Sequence, residues 1–340
     1  MKGCFMATIK DIARESGVSV ATVSRYINGN AHIGNANSER IAEVISRLGY
    51  RPSRTARSLK THNSRNIMLV VPDINNPFYS KMAEVVNQRC RAKGYTMTLY
   101  NTSEEIHEEL QAIRLAGDIF ADGIVFASVT AQELVLEELK QSRCQIVLVN
   151  SYDGCPFDTV HGDRVREGTY LSTKYLIENG HTRIGFAGGL SGTAVAENRK
   201  RGYCRALAEA GIEADDELIF EMGFNLESGK KAGRYFTALD PRPSAICCAN
   251  DMIALGVISV FGEMGIKIPN DFSVTGMDDV PYSSRSFASL TTVTNDSAEF
   301  ANDAMDALFD RISGKYAGAP RESVIDRELI IRTSVKNLVK

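Results

Sequence analysis

Apolar side chains recur at spacings of three and four along the first fifty residues, and from residue 66 onward they gather into short runs separated by amphipathic stretches. Ile9, Ile12 and Ala13 give one apolar side to a first helix, and Thr8 followed by Asp11 has the spacing of a capping box. Gly17-Val18-Ser19 breaks that helix, and Ser19 can cap a second, Val20 to Ile27, with Val23 and Ile27 inward. A third helix carries Ile41, Val44, Ile45 and Leu48, enough to close a small three-helix core. Strands are predicted at Ile67–Val71, Thr96–Tyr100, Gly123–Phe126, Ile146–Val149, Ile184–Ala187, Ala245–Cys248 and Ser273–Gly276, with helical patterns between them. Such alternation predicts parallel sheets covered by helices on both faces. The fold class is therefore a small all-α headpiece followed by an α/β core.

Charge separates the same two parts. Residues 1–60 hold ten Lys or Arg against four Asp or Glu, a balance of +6, and the remaining residues hold 29 against 38, a balance of −9. A basic head on an acidic body is the footprint of a nucleic-acid arm joined to something else. In the second helix Ala21, Thr22 and Arg25 face outward together, as in a helix-turn-helix, whose second helix enters the major groove with its first residues against base edges. Arg25 is the candidate for a bidentate guanine contact, and Val20 or Ala21 for a thymine methyl. Thr22, Ser24 and Asn37 suit phosphates, which fix register without reading sequence.

GVSVATVSRYING, followed by GYRPSRTARSLK at Gly49 to Lys60, resembles the headpiece and hinge of the lac repressor/galactose repressor family of bacterial transcription regulators. The resemblance implies a helix-turn-helix DNA-binding domain over 6–50 and a hinge over 51–65. It implies a two-lobed periplasmic-binding-protein-like core over 66–340, lobe one taking 66–164 and 295–325, lobe two 165–294 and 326–340. It adds Thr8 and Ser19 to the DNA-binding set, with Arg54, Ala56, Arg57, Leu59 and Lys60 of a hinge helix that folds only on operator DNA. There Leu59 wedges between base pairs, an unstacking offset by the contacts that bent DNA permits. Ser38 stands where relatives often have Arg, and Met6-Ala7-Thr8 looks like the family's usual start.

In open parallel sheets ligands sit beyond the carboxyl ends of strands. Reading those ends gives Asn76, Phe78 and Tyr79 after the first strand, Asn150 after the fourth, then Arg199, Phe224, Asn250 and Asp278. Each has a plainer role open to it: Asn76 and Asp278 in turns, Phe78 in the core, Asn250 or Asp251 as a helix cap, with Asp251 preferred. Together they resemble the sugar contacts of ribose-type binding proteins and sugar repressors. Asn150 replaces an acid found there in many pentose and hexose binders, and Asn295 replaces a glutamine, which leaves the effector's identity open, a sugar ahead of a purine.

The chain has no GxGxxG, GxSxG or HExxH motif, so no catalysis, cofactor or metal is expected. Seven cysteines without a CxxC pair and the absence of a long apolar run or leader predict reduced thiols in a cytoplasmic, membrane-free protein. The resemblance implies a homodimer on a palindromic operator, switched by a small-molecule effector. A catabolite-control-type regulator using a phosphocarrier protein, or a purine or phosphosugar corepressor, is the alternative. The phosphocarrier is disfavoured by Asp306 and Asp310 on the helix Asp303 to Arg311, where that branch carries bases.

Overall fold

A computed structural model describes residues 7–27, 34–50, 64–128, 130, 133–150, 155–163, 167–286 and 288–339. It divides into two units, Met1–Ser64 and Arg65–Lys340. The hinge candidates Arg54, Ala56, Arg57, Leu59 and Lys60 lie outside the described residues.

The first unit contains α1 (Ile9–Ser16), α2 (Val20–Ile27) and α3 (Asn35–Leu48). The capping box at the start of α1 is formed in both directions. Asp11 N–H donates to Thr8 Oγ1 at 3.3 Å, and Thr8 N–H donates to the Asp11 carboxylate at 3.0 Å. The Thr8 hydroxyl, donating to the same carboxylate at 2.7 Å, and then the Thr8 N–H hold the Asp11 carboxyl below its usual range. Gly17 ends α1 at φ 68°, where any side chain would be strained. Ile12, Val23 and Ile41 are fully buried, with Ala13 and Val44 beside them, so the core that orients α2 consists of five buried residues.

The second unit begins with β1 (Asn66–Val71), α4 (Pro77–Ala92), β2 (Thr96–Asn101), α5 (Ile106–Asp118), β3 (Gly123–Ala127), α6 (Glu133–Gln141), β4 (Gln145–Val149) and β5 (Asp158–Gly162). It continues with α7 (Gly168–Glu178), β6 (Ile184–Gly188), α8 (Ala194–Glu209), β7 (Ile219–Glu221), α9 (Leu226–Ala238), β8 (Ala245–Cys248), α10 (Asp251–Glu263) and β9 (Ser273–Thr275). The last elements are β10 (Thr292–Val293), α11 (Ser297–Ile312), β11 (Glu322–Ile325) and β12 (Leu329–Ile330).

One lobe is built on a six-stranded parallel sheet ordered β11-β5-β4-β3-β1-β2, the other on a four-stranded parallel sheet ordered β7-β6-β8-β9. An antiparallel ribbon, β10 with β12, adjoins the second lobe, where Ser334 Oγ donates to Val274 O at 2.6 Å. The chain thus passes between lobes after β5, around β10 and after β11. β1 reads NIMLVV because a central parallel strand is buried on both faces, whereas β2 at the edge alternates and leaves Leu99 exposed. Helices α4 and α11 cover one face of the larger sheet, α5 and α6 the other.

Three features differ from the sequence reading. β5 and β11 are strands whose composition hides them. DTVHG in β5 is buried between two neighbours because Arg311 and Arg321 neutralise Asp158, at 2.6 and 3.0 Å. Asn250, not Asp251, caps α10, its side chain accepting Ile253 N–H at 2.9 Å, while Asp251 turns into the protein. The helix proposed for a phosphocarrier begins earlier, at Ser297, and its Arg311 is committed to Asp158.

Candidate functional site

The headpiece presents its candidate residues at the start of α2. Ser19 Oγ accepts Thr22 N–H at 3.1 Å and lies 2.8 Å from Thr22 Oγ1, so these two hydroxyls organise the helix end. Val20 and Ala21 are exposed, as is Arg25 two turns into the helix. Thr8 is exposed at the cap of α1, Ser24 is half-buried, and Asn37 accepts from Arg40 at 3.0 Å. A helix start with apolar and guanidinium side chains exposed beside capping hydroxyls has the chemistry of a base-reading edge.

In the second unit, Asn76, Phe78, Tyr79, Asn150, Arg199, Phe224, Asn250 and Asp278 all line one narrow cleft between the lobes. The carboxyl ends of parallel strands put them there. Asn76 caps α4 just after β1, its side chain accepting Phe78 N–H at 3.0 Å, so the proline at the next position costs the helix no hydrogen bond. Asn150 follows β4 and donates to Ser128 O at 2.7 Å. Asn250 follows β8 and, besides capping α10, donates to Phe224 O at 3.0 Å. Asp278 follows β9, accepts from Asn295 Nδ2 at 3.1 Å and stands 3.9 Å from the Arg199 guanidinium. Arg199 also donates to Ala249 O at 2.5 Å and lies 5.1 Å from the centre of the Phe224 ring.

Asn150 and Asp278 have φ of 95° and 117°, a region that non-glycine residues occupy only when their surroundings over-determine it. Burial shapes the electrostatics. It raises the Asp278 carboxyl, with Arg199 opposing, and it raises the Tyr79 phenol. Behind Asp278, fully buried Asp251 is pushed up to about 7, first by burial and then by Asp278. Asp251 accepts from Val280 N–H at 2.9 Å, Ser283 Oγ at 2.6 Å and Thr292 Oγ1 at 2.6 Å.

Five further residues complete the lining: Pro72, Asp73, Glu104, Val195 and Asn295. Glu104 carries the most chemistry, its Oε1 accepting Phe224 N–H from the opposite lobe at 3.3 Å. A signal for it exists in the sequence, since Glu104 lies three residues beyond the carboxyl end of β2, but the run TSEE reads as a solvated helix start. Among the described residues no group of side chains is arranged to hold a metal ion, and no helix is long and apolar enough to cross a membrane.

Residues 8–53 match the model of the bacterial regulatory proteins, lacI family, and residues 173–335 match that of a periplasmic binding protein-like domain. Over 98% of its length the chain is 36% identical to the whole of the HTH-type transcriptional repressor PurR of Mannheimia succiniciproducens. It is similar to the transcriptional regulator CelR in complex with cellobiose, at 26% identity and a TM-score of 0.72, over 96% of this chain and 99% of that one. The lac repressor dimer bound to operator and the anti-inducer ONPF shares the fold with a TM-score of 0.82 at 22% identity, over 97% and 99% of the two chains.

Proposed function

The chain belongs to the lacI family of bacterial regulatory proteins, and from its place among these DNA-binding transcriptional repressors we propose that its operator affinity is set by a sugar bound between the lobes. The carrying observation is the convergence of eight strand-end residues on one cleft. Polar groups placed beside aromatic faces fix the orientation of a small ligand. Four amides, three carboxylates and one guanidinium there suit the hydroxyls of a sugar better than the edge of a planar base. Phe78, Tyr79 and Phe224 are only 6, 8 and 6% exposed, and the Phe78 and Tyr79 rings meet edge to face with centres 5.0 Å apart. A purine corepressor is the second reading, favoured by the 36% identity to a repressor named PurR.

In this mechanism the ligand acts through its different affinity for two lobe arrangements, which it shifts by that difference and no more. The hinge carries the shift to DNA, with Arg54, Ala56, Arg57, Leu59 and Lys60 entering the minor groove from both copies of a homodimer. The headpieces then read a palindromic operator, Arg25 on guanine, Val20 or Ala21 on a thymine methyl, and Thr8, Ser19, Thr22, Ser24 and Asn37 holding the backbone. Asn76, Phe78, Tyr79, Asn150, Arg199, Phe224, Asn250 and Asp278 hold the effector.

The test is thermal unfolding against free sugars, phosphorylated sugars and purines, since a ligand bound only by the folded state raises its melting temperature. A shift with a sugar, coupled to a change in operator affinity, supports the reading; a shift with purines alone replaces it. For the headpiece, Arg25→Ala is expected to relax preference at one base pair by roughly 1–3 kcal/mol. An unchanged preference in a binding-site selection removes Arg25 from the base-reading set.

A further inference from the structure

We infer that Glu104 sets the charge selectivity of the cleft, admitting uncharged hydroxyl-bearing ligands and turning phosphorylated ones away. The inference rests on the sugar reading and narrows it. Glu104 reaches the cleft through an unusual turn. Thr102 N–H is pinned to Val71 O at 2.9 Å, and Ser103 and Glu104 then adopt φ of 55° and 63° in succession. Two consecutive non-glycine residues in the left-handed region persist only where the surroundings hold them. Here they lift a carboxylate across the cleft, where Oε1 accepts Phe224 N–H of the other lobe. Its second oxygen has no hydrogen-bond partner among the described residues and lies 3.3 Å from where a Cβ on Gly223 would stand.

Position 150 offers an amide where the resemblance leads one to expect an acid. Glu104 returns a carboxylate to the same wall from a different strand end. Asn295, a lining residue 7% exposed, spends its Nδ2 on Asp278 and leaves Oδ1 buried without a partner among the described residues. The cation that lines the cleft itself is already engaged. Arg199 serves Ala249 O, Asp278 and the Phe224 ring, while Arg327 in the adjoining recess donates to Glu167 at 2.6 Å and keeps a buried Nε without a partner among the described residues. A hydroxyl group can donate to Glu104 Oε2 and Asn295 Oδ1. A phosphate brings only acceptors and negative charge to them.

The experiment is calorimetry with matched pairs of free and phosphorylated glucose, ribose, fructose and cellobiose, run at pH 8 because burial pushes the Glu104 carboxyl up and a higher pH favours its charged form. The wild-type protein is expected to favour the free member of whichever pair binds. Glu104→Gln keeps an acceptor for Phe224 N–H while removing the charge, and is expected to narrow the free-to-phosphorylated ratio by roughly tenfold, the equivalent of about 1.4 kcal/mol. Glu104→Asp keeps the charge and is expected to keep most of the selectivity. Unliganded melting temperatures of both variants, compared with wild type, separate selectivity from damage to the fold. A ratio unchanged in Glu104→Gln, or a wild-type preference for the phosphorylated member, overturns the inference and leaves the sugar reading standing. Binding of adenine or hypoxanthine with no sugar bound in either form removes the sugar reading first, and this inference with it.

Discussion

The two walls of the cleft are built differently. On the four-stranded lobe, Arg199, Asn250 and Asp278 are tied to backbone and to one another, and Asp251 behind them gathers three donors from the segment 280–292. On the six-stranded lobe, Asn150 donates to Ser128 O within its own lobe, whereas Glu104, on a turn of two left-handed residues, finds its partner only across the gap. One wall is prepared before the ligand arrives, and the other completes its hydrogen bonds by meeting its opposite. The first kind of wall orients a ligand; the second reports that the lobes have come together. Binding without reorganisation saves ordering cost, and closure supplies the differential affinity that a switch needs.

The comparison breaks most readily at Asp278. Asp278→Asn keeps the side chain's shape and its tolerance of positive φ but removes the charge beside Arg199. Ligand affinity is expected to fall about 30-fold or more, since unpairing one partner of a buried charged contact costs roughly 2–5 kcal/mol. A calorimetric titration that finds the affinity intact would move the orienting role off this wall.

Asp251 tests whether that wall is prepared by the fold itself. Asp251→Ala strands the donors of Val280, Ser283 and Thr292 and is expected to cost about 3 kcal/mol in urea unfolding without ligand, at roughly 1–3 kcal/mol per unmet buried group. The pH dependence has a definite sign. Because the folded-state value is raised from 3.8 to about 7, the folded protein holds this proton more tightly than the unfolded chain does. The resulting stabilisation is complete below about 3.8 and is lost as pH rises through about 7. Asp251→Asn is therefore expected to flatten the decline in stability between pH 3.8 and about 7, the span in which the unfolded chain has released this proton and the folded protein still holds it. Urea midpoints measured across that range give the answer.

The smallest effect is expected on the other wall. Asn150→Gly relieves a φ of 95° but deletes the bond to Ser128 O. The gain and the loss are each about 1 kcal/mol, so global stability should stay within about 1 kcal/mol while ligand affinity falls several-fold. A drop in stability as large as that of Asp251→Ala would show that both walls are equally rigid.

What could be read from the sequence follows the range of the interactions involved. Asn76 and Asn250 are found at strand ends because the parallel-strand rule and their capping chemistry are local. Even so, the choice between Asn250 and Asp251 as the cap turned on a backbone φ of −150° at Asn250, which neighbouring residue types do not reveal. Glu104 could not be recognised from local pattern, because its role depends on two left-handed residues and on an amide 120 positions away in the chain. β5 was hidden for a related reason. Asp158 belongs inside a sheet only when Arg311 and Arg321, from the far end of the chain, arrive to neutralise it.

Those distant partners bear on how the protein can be divided. Since the chain passes between the lobes three times, no single cut separates them into two polypeptides. A fragment ending near residue 290 would retain the four-stranded sheet but lose α11 and β11, baring the part of one sheet face that α11 covers and the edge of β5. It would also leave Asp158 buried without its two guanidiniums. Synthesis of the six-stranded lobe therefore begins near residue 66 and reaches completion only after the other lobe's sheet has been made, and premature termination yields an adhesive intermediate rather than a working half.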